Sequence, residues 1–296
     1  MKPHLLFPST FRYLGFLLAI PGFILGYITL NQGSLLTNLT LWLHVQGSFI
    51  GNTIENFANE VALTMVIVGL LFIAFSKLRQ EDELTSRVRM YALYWAILAN
   101  TVVFAALILF ITISIVFHIN TGGGFLGPYA YLISFSTYNL FTPLVIFILI
   151  FYYHLYRNKN EFVIKPIKYL QNKRCHVISK WLSIVICVIL LAGSMFADEN
   201  PLASLFFLLP FTLTTWAYTK EKYEDEYITQ IRMEAMQVAI YVNYSLLLIA
   251  NFSIYGWSFW TVQDFNFVTI PAIFIIWFRY KRYLINRLND VSTITS

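Results

Sequence analysis

The chain has 296 residues, of which 58% are hydrophobic, 18% aromatic and only 12% charged, whereas a soluble domain carries roughly a quarter charged residues. So few polar side chains cannot cover a water-facing surface, and the apolar residues gather into blocks of roughly 17 to 25, the length a helix needs to cross a hydrocarbon core about 30 Å thick. In such a chain a formal charge of +5 and a pI near 9.1 report cytoplasmic loops facing anionic lipid rather than direct nucleic-acid binding.

Lys2 and Arg12 precede the first apolar run. That run is about 20 residues long, exceeds an ordinary signal-peptide core and is followed by no clear small-residue cleavage site, so it reads as a retained helix. Apolar runs place helices near 11–30, 58–76, 91–117, 130–153, 178–196, 202–218, 235–256 and 265–283. The expected fold is therefore all-α: a polytopic transmembrane bundle of about eight helices, with both termini on one side. Between spans one and two, residues 31–57 form the longest connection. There Leu39, Leu41, Leu43 and Val45 alternate with Thr40, Trp42, His44 and Gln46, which predicts a short strand or an interfacial segment lidding the bundle.

The cations decide which side the termini occupy. Beyond the N-terminal pair, Lys77, Arg79, Arg87 and Arg89 lie between spans two and three, and Lys220, Lys222 and Arg232 between six and seven. Between spans four and five lie Arg157, Lys159, Lys165, Lys168, Lys173, Arg174 and Lys180, and Arg279, Lys281, Arg282 and Arg287 close the chain. The alternate loops, 31–57, 118–129, 197–201 and 257–264, hold no Lys or Arg and carry Glu55, Asp198, Glu199 and Asp264. Under the positive-inside rule the termini are cytoplasmic, and the expected location is a bacterial inner membrane.

Comparison of the chain with itself gives the sharpest signal. Residues 76–100 read SKLRQEDELTSRVRMYALYWAILAN and residues 219–243 read TKEKYEDEYITQIRMEAMQVAIYVN. Without gaps, Lys77 matches Lys220, Glu81-Asp82-Glu83 matches Glu224-Asp225-Glu226, Arg89 matches Arg232 and Asn100 matches Asn243. A weaker echo pairs Asn139 with Asn266, Thr142 with Thr269, Phe147 with Phe274 and Phe151 with Phe278. The expectation is two four-helix repeats in parallel orientation, residues 1–156 and 178–296, joined by a basic cytoplasmic linker over 157–177. Their pseudo-twofold axis would run along the membrane normal.

An elbow of the form KxxxEDE, then RM leading into a helix and later an N-x-x-T-P stretch, resembles short four-helix membrane proteins of Bacteroidota-type bacteria. The resemblance covers these two stretches of each half. It implies the helical fold and brings no activity with it.

The repeated charges have three readings. They could fix a helical hairpin at headgroup depth, with Lys77 and Lys220 forming i,i+4 pairs to Glu81 and Glu224. The six carboxylates could meet and hold a divalent cation through oxygen. Or the elbows, built from Lys77, Glu81, Asp82, Glu83 and Arg89 and from Lys220, Glu224, Asp225, Glu226 and Arg232, could dock a cytoplasmic partner. Asn100 and Asn243 fall near the bilayer midplane, where an amide bridges helices or lines a path. No Asp, Glu, Lys or Arg sits at a predicted bilayer centre, which weighs against a proton-coupled pump.

Several patterns carry no chemistry. Gly122, Gly124 and Gly127 satisfy GxGxxG, but in an outer loop without a strand or helix to use it. His4, His44, His118, His154 and His176 lack ligand spacing, and Cys175 and Cys187 predict neither a disulfide nor a metal site. No cofactor is expected. The leading expectation is thus a non-enzymatic regulatory, sensor or scaffold protein acting through its duplicated elbows, in contact with an anionic inner leaflet and open to oligomerisation. A transporter or channel between the halves is the alternative, and a lipid-active membrane enzyme the third.

Overall fold

In the computed structural model, the described residues are 6–31, 58–79, 83–116, 139–157, 169–171, 173–196, 203–220, 226–254 and 257–294. They form α1 (Phe11–Asn31), α2 (Ala58–Phe75), α3 (Glu83–Val116), α4 (Thr142–Arg157), α5 (Lys173–Phe196), α6 (Leu209–Ala217), α7 (Glu226–Ser253) and α8 (Trp257–Ile294), with a 3₁₀ turn over Ala203–Leu208 leading into α6. The alternating segment within 31–57, the glycines at 122–127 and most of the linker lie outside the described residues.

Six helices are long and apolar enough to cross a membrane, with apolar spans at Phe11–Thr29, Ala58–Phe75, Leu84–Ile111, Lys173–Gly193, Tyr227–Ser253 and Thr261–Ile285. The chain is a multi-pass membrane protein by this measure, with six such helices among the described residues where eight were expected. Among the described residues the other two expected spans are represented by shorter helices. Asn139 is helical, but Leu140 and Phe141 form a turn, and α4 starts only at Thr142-Pro143, because proline has no N–H to bond back to the preceding turn and is tolerated only in the first turn of a helix. Pro210 sits in the first turn of α6. Its missing N–H splits the expected 202–218 helix into a 3₁₀ turn and a nine-residue α-helix.

Four helices begin earlier than apolar content predicts: α3 at 83 rather than 91, α5 at 173 rather than 178, α7 at 226 rather than 235, and α8 at 257 rather than 265. Hydropathy marks only the stretch in lipid, whereas helical hydrogen bonding continues into the polar layer, where charged side chains reach water. Lys173 and Arg174 therefore belong to α5 and not to the linker expected over 157–177.

The chain divides into two compact units. The first comprises residues 1–165 with 244–264, and the second 166–243 with 265–296.

In the first unit α1 lies against α2 through small residues. Gly15, Ala19, Gly22 and Gly26 line one edge of α1, and a Cβ added at Gly69 of α2 would fall 2.6 Å from the Ala19 backbone nitrogen. Such backbone approach is how helices associate where lipid removes the hydrophobic drive. The outer surface of α1 carries Tyr13, Leu17, Ile20, Ile24 and Tyr27, all more than half exposed. Trp181, Val188 and Leu191 do the same on α5 in the second unit, while Asn100, Asn139, Asn243, Asn251 and Asn266 are buried. Apolar outside and amide inside is the inverse of a water-soluble core and suits a hydrocarbon solvent.

Candidate functional site

The described part of each elbow is a pinned, non-helical strand-like step. Beyond α2, the Phe7 N–H donates to the Phe75 carbonyl at 2.9 Å and the Lys77 N–H to the Phe7 carbonyl at 2.8 Å. In the second unit the Leu170 N–H donates to the Tyr218 carbonyl at 3.0 Å and the Lys220 N–H to the Leu170 carbonyl at 2.9 Å. These are isolated parallel bridges, Phe7 with Ser76 and Leu170 with Thr219. Lys77 and Lys220 are exposed and lie outside any helix. Glu81, Asp82, Glu224 and Asp225 lie outside the described residues. Glu83 and Glu226 open α3 and α7.

Arg89 and Arg232, expected among the elbow charges, sit inside α3 and α7 and are 5% and 2% exposed. Arg89 Nη1 donates to the Ala74 carbonyl at 2.8 Å. Arg232 Nη1 donates to the Ala217 carbonyl at 2.9 Å and Nη2 to the Thr219 carbonyl at 2.8 Å. The last carbonyls of a helix have no intrahelical donor, and a cation there also meets the negative end of the helix dipole. Each guanidinium thus closes the end of the helix before its elbow.

Aromatic rings complete both contacts. The Arg89 guanidinium lies 4.8 Å from the Phe151 ring centroid, and that of Arg232 lies 4.9 Å from Phe278 and 4.4 Å from Tyr169. At these separations the ring faces attract the cation, more strongly where water is absent. Phe151 stacks on Phe147, as Phe278 does on Phe274.

The intramembrane amides are placed near the middle of their helices' apolar spans, 84–111 and 227–253. Asn243 Nδ2 donates to Asn266 Oδ1 at 2.7 Å, and Thr269 donates its hydroxyl to Asn243 Oδ1. Asn243, from the stronger sequence match, is therefore bonded to two residues of the weaker one. Asn243→Ala should lower stability by about 1 kcal/mol, in the range of intramembrane polar contacts. A double-mutant cycle with Asn266→Ala, read by thermal unfolding in detergent, should recover most of that amount as coupling.

Sequence reasoning did not find three other polar contacts. Asn251 Nδ2 donates to the Glu60 carbonyl at 3.0 Å and to Thr64 Oγ1 at 3.3 Å. Lys281 pairs with Glu234 at 2.8 Å. Arg279 Nη2 approaches His176 Nε2 to 3.2 Å. Among the described residues no group of three or more His, Cys, Asp or Glu could hold a metal ion.

The class these features define is an all-helical, multi-pass membrane protein with arginine-closed helix ends. Comparison with protein-family models, curated proteins and solved structures finds no match.

Proposed function

We propose that the chain is a duplicated, eight-span protein of a bacterial inner membrane, with cytoplasmic termini, whose two acidic elbows dock a cytoplasmic partner. The observation that carries this reading is the matched bracing of the elbows. Phe7 and Leu170 bridge to the residue following Phe75 and Tyr218 respectively, and Arg89 and Arg232 close the helix ends at Ala74 and Ala217. These contacts extend the likeness of the halves back to the segments before α1 and α5, where the sequence alone offers no match. A braced segment shortly before each run of three carboxylates in the chain would lower the ordering cost of binding a basic partner.

Within the second unit the Asn243 amide is engaged by Asn266 and Thr269, which suits a helix bridge better than a path for a solute. The likeness to the Bacteroidota-type four-helix proteins is part of the same proposal, as is the pairing of two four-helix halves.

The test replaces Glu81-Asp82-Glu83 and Glu224-Asp225-Glu226 by alanine in the full chain. Membrane insertion and thermal stability should be retained, and proteins that co-purify with the wild type from native membranes in mild detergent should be lost. Reporter fusions after residues 80 and 223 should both report the cytoplasm. Undiminished co-purification would remove the docking role, and reporters in opposite compartments would remove the duplication in parallel orientation.

A further inference from the structure

We propose that the first unit binds an ordered water molecule at mid-membrane, held between Asn100 of α3 and Asn139 just before α4, in place of the direct amide contact of the second unit. The register of the helices brings these two amides level. Arg89 lies over Phe151, and Asn100 is eleven residues further along α3, about 16 Å at 1.5 Å per residue, while Asn139 is twelve residues back from Phe151. In the second unit Arg232 lies over Phe278, and the same two offsets lead to Asn243 and Asn266, whose side chains meet at 2.7 Å. A separate contact fixes the depth. Phe141 meets Phe23 of α1 at 5.4 Å, and the neighbouring Gly22 lies against Val66 of α2, halfway along the apolar span Ala58–Phe75.

The two units differ at the amide itself. Asn243 is bonded to Asn266 and Thr269, and α8 carries both partners on a helix uninterrupted from Trp257. In the first unit the chain turns at Leu140 and Phe141, between Asn139 and Thr142, and the Leu144 and Val145 N–H groups both donate to the Phe141 carbonyl, each at 3.1 Å. That turn moves Asn139 off the helical line along which Asn266 and Thr269 reach Asn243. Asn100 Oδ1 is buried and meets no donor among the described residues. An amide oxygen without a donor is costly in hydrocarbon, and ordered water is the usual partner of a buried polar atom that the chain itself does not satisfy.

Water suits the place in size and in bonding. Asn100 is 7% exposed against 3% for Asn243, so a water-sized sphere still touches it. Asn139 is buried, and its amide offers two N–H donors and an oxygen with two lone pairs, enough to hold a water beside its other contacts. A water that donates to Asn100 Oδ1 and accepts from the Asn139 amide gives α3 and the start of α4 the bridge that Asn243 and Asn266 make directly, at little enthalpic loss. Ala96 and Phe104, one turn to either side of Asn100 on α3, are both buried, so apolar groups flank the bound molecule along that helix. The proposal concerns the first unit alone and is independent of any partner at the elbows.

The experiment uses the full chain in deuterated lipid bilayers with isotope-labelled asparagine, read by proton-detected solid-state NMR as transfer of magnetisation from water to the side-chain amides. Asn100→Leu and Asn243→Leu assign the two signals by their loss. In the wild type, transfer should build up several-fold faster at Asn100 than at Asn243, and it should survive a water-soluble gadolinium chelate, which relaxes bulk water but does not reach an enclosed molecule. Asn139→Leu should abolish the transfer at Asn100, and Asn139→Ser, which keeps a polar anchor, should retain part of it. Transfer at Asn100 as slow as at Asn243, or equally fast at both, would overturn the site on the wild type alone. Erasure by the chelate would replace the held water with an open aqueous path, and transfer unaffected by Asn139→Leu would overturn the bridge.

Discussion

Arg232→Met is expected to destabilise the protein by about 3 to 5 kcal/mol, the largest effect of any single substitution considered, because removing one partner of a buried charged contact strands the others. The side chain is 2% exposed and donates to two backbone carbonyls. Each hydrogen bond from a charged donor is worth about 1.5 to 3 kcal/mol, and a buried carbonyl left without a donor costs a comparable amount. The rings of Tyr169 and Phe278 lose their cation at 4.4 and 4.9 Å, adding about 1 kcal/mol or more. Methionine restores some packing volume but no donor. Arg232→Lys keeps the charge and one point of donation, so it should recover about half the loss, while Arg89→Met should behave like Arg232→Met because Arg89 makes the same kind of contact with Ala74 and Phe151. Melting of the full chain in detergent reads all three. A methionine variant as stable as wild type would show that the buried guanidinium does not hold the helix end.

The two arginines also show how far the sequence could be read. Arg89 and Arg232 were legible as a matched pair, and so were Phe151 and Phe278 in a separate, weaker echo. What the sequence did not disclose is that these echoes are two sides of one contact, each arginine lying over its own phenylalanine. The same holds for Asn243 in one stretch and Asn266 and Thr269 in the other. Matched positions of the two echoes touch within each unit, Arg89 on Phe151 in the first and Arg232 on Phe278 in the second, so pairing across echoes was the available signal. Reading the arginines as surface charges failed because helix starts were set by hydropathy. With α3 beginning at Glu83 and α7 at Glu226, each arginine lies two turns inside a helix and can face inward. The bridges from Phe7 and Leu170 had no local signature, since they are single backbone contacts between segments far apart in sequence. Eight helices are present as expected, but among the described residues two of them are too short to span, and both carry a proline in their first turn, at Pro143 and Pro210, which an apolar window averages over.

Gly69→Ala should destabilise the protein by about 2 kcal/mol although alanine is the better helix former. The added Cβ would lie 2.6 Å from the Ala19 nitrogen, 2.8 Å from the Gly15 carbonyl oxygen and 2.9 Å from the Ala19 Cβ. Two of these three neighbours are backbone atoms of α1, which can yield only if the helices separate. Overpacking of this kind costs up to about 3 kcal/mol, against a propensity gain of about 1 kcal/mol. Gly26→Ala gives the internal control: its Cβ would meet only the Ala62 Cβ, at 3.9 Å, an ordinary contact, so the propensity gain survives and the variant should be slightly more stable than wild type. Thermal unfolding in detergent therefore should move in opposite directions for two chemically identical substitutions on facing helices. If both moved alike, the close approach of α1 and α2 would be wrong. Because that approach also carries Phe7 to Ser76, Gly69→Ala should speed hydrogen exchange at the Phe7 and Lys77 amides, whereas Gly26→Ala should leave the exchange of both unchanged.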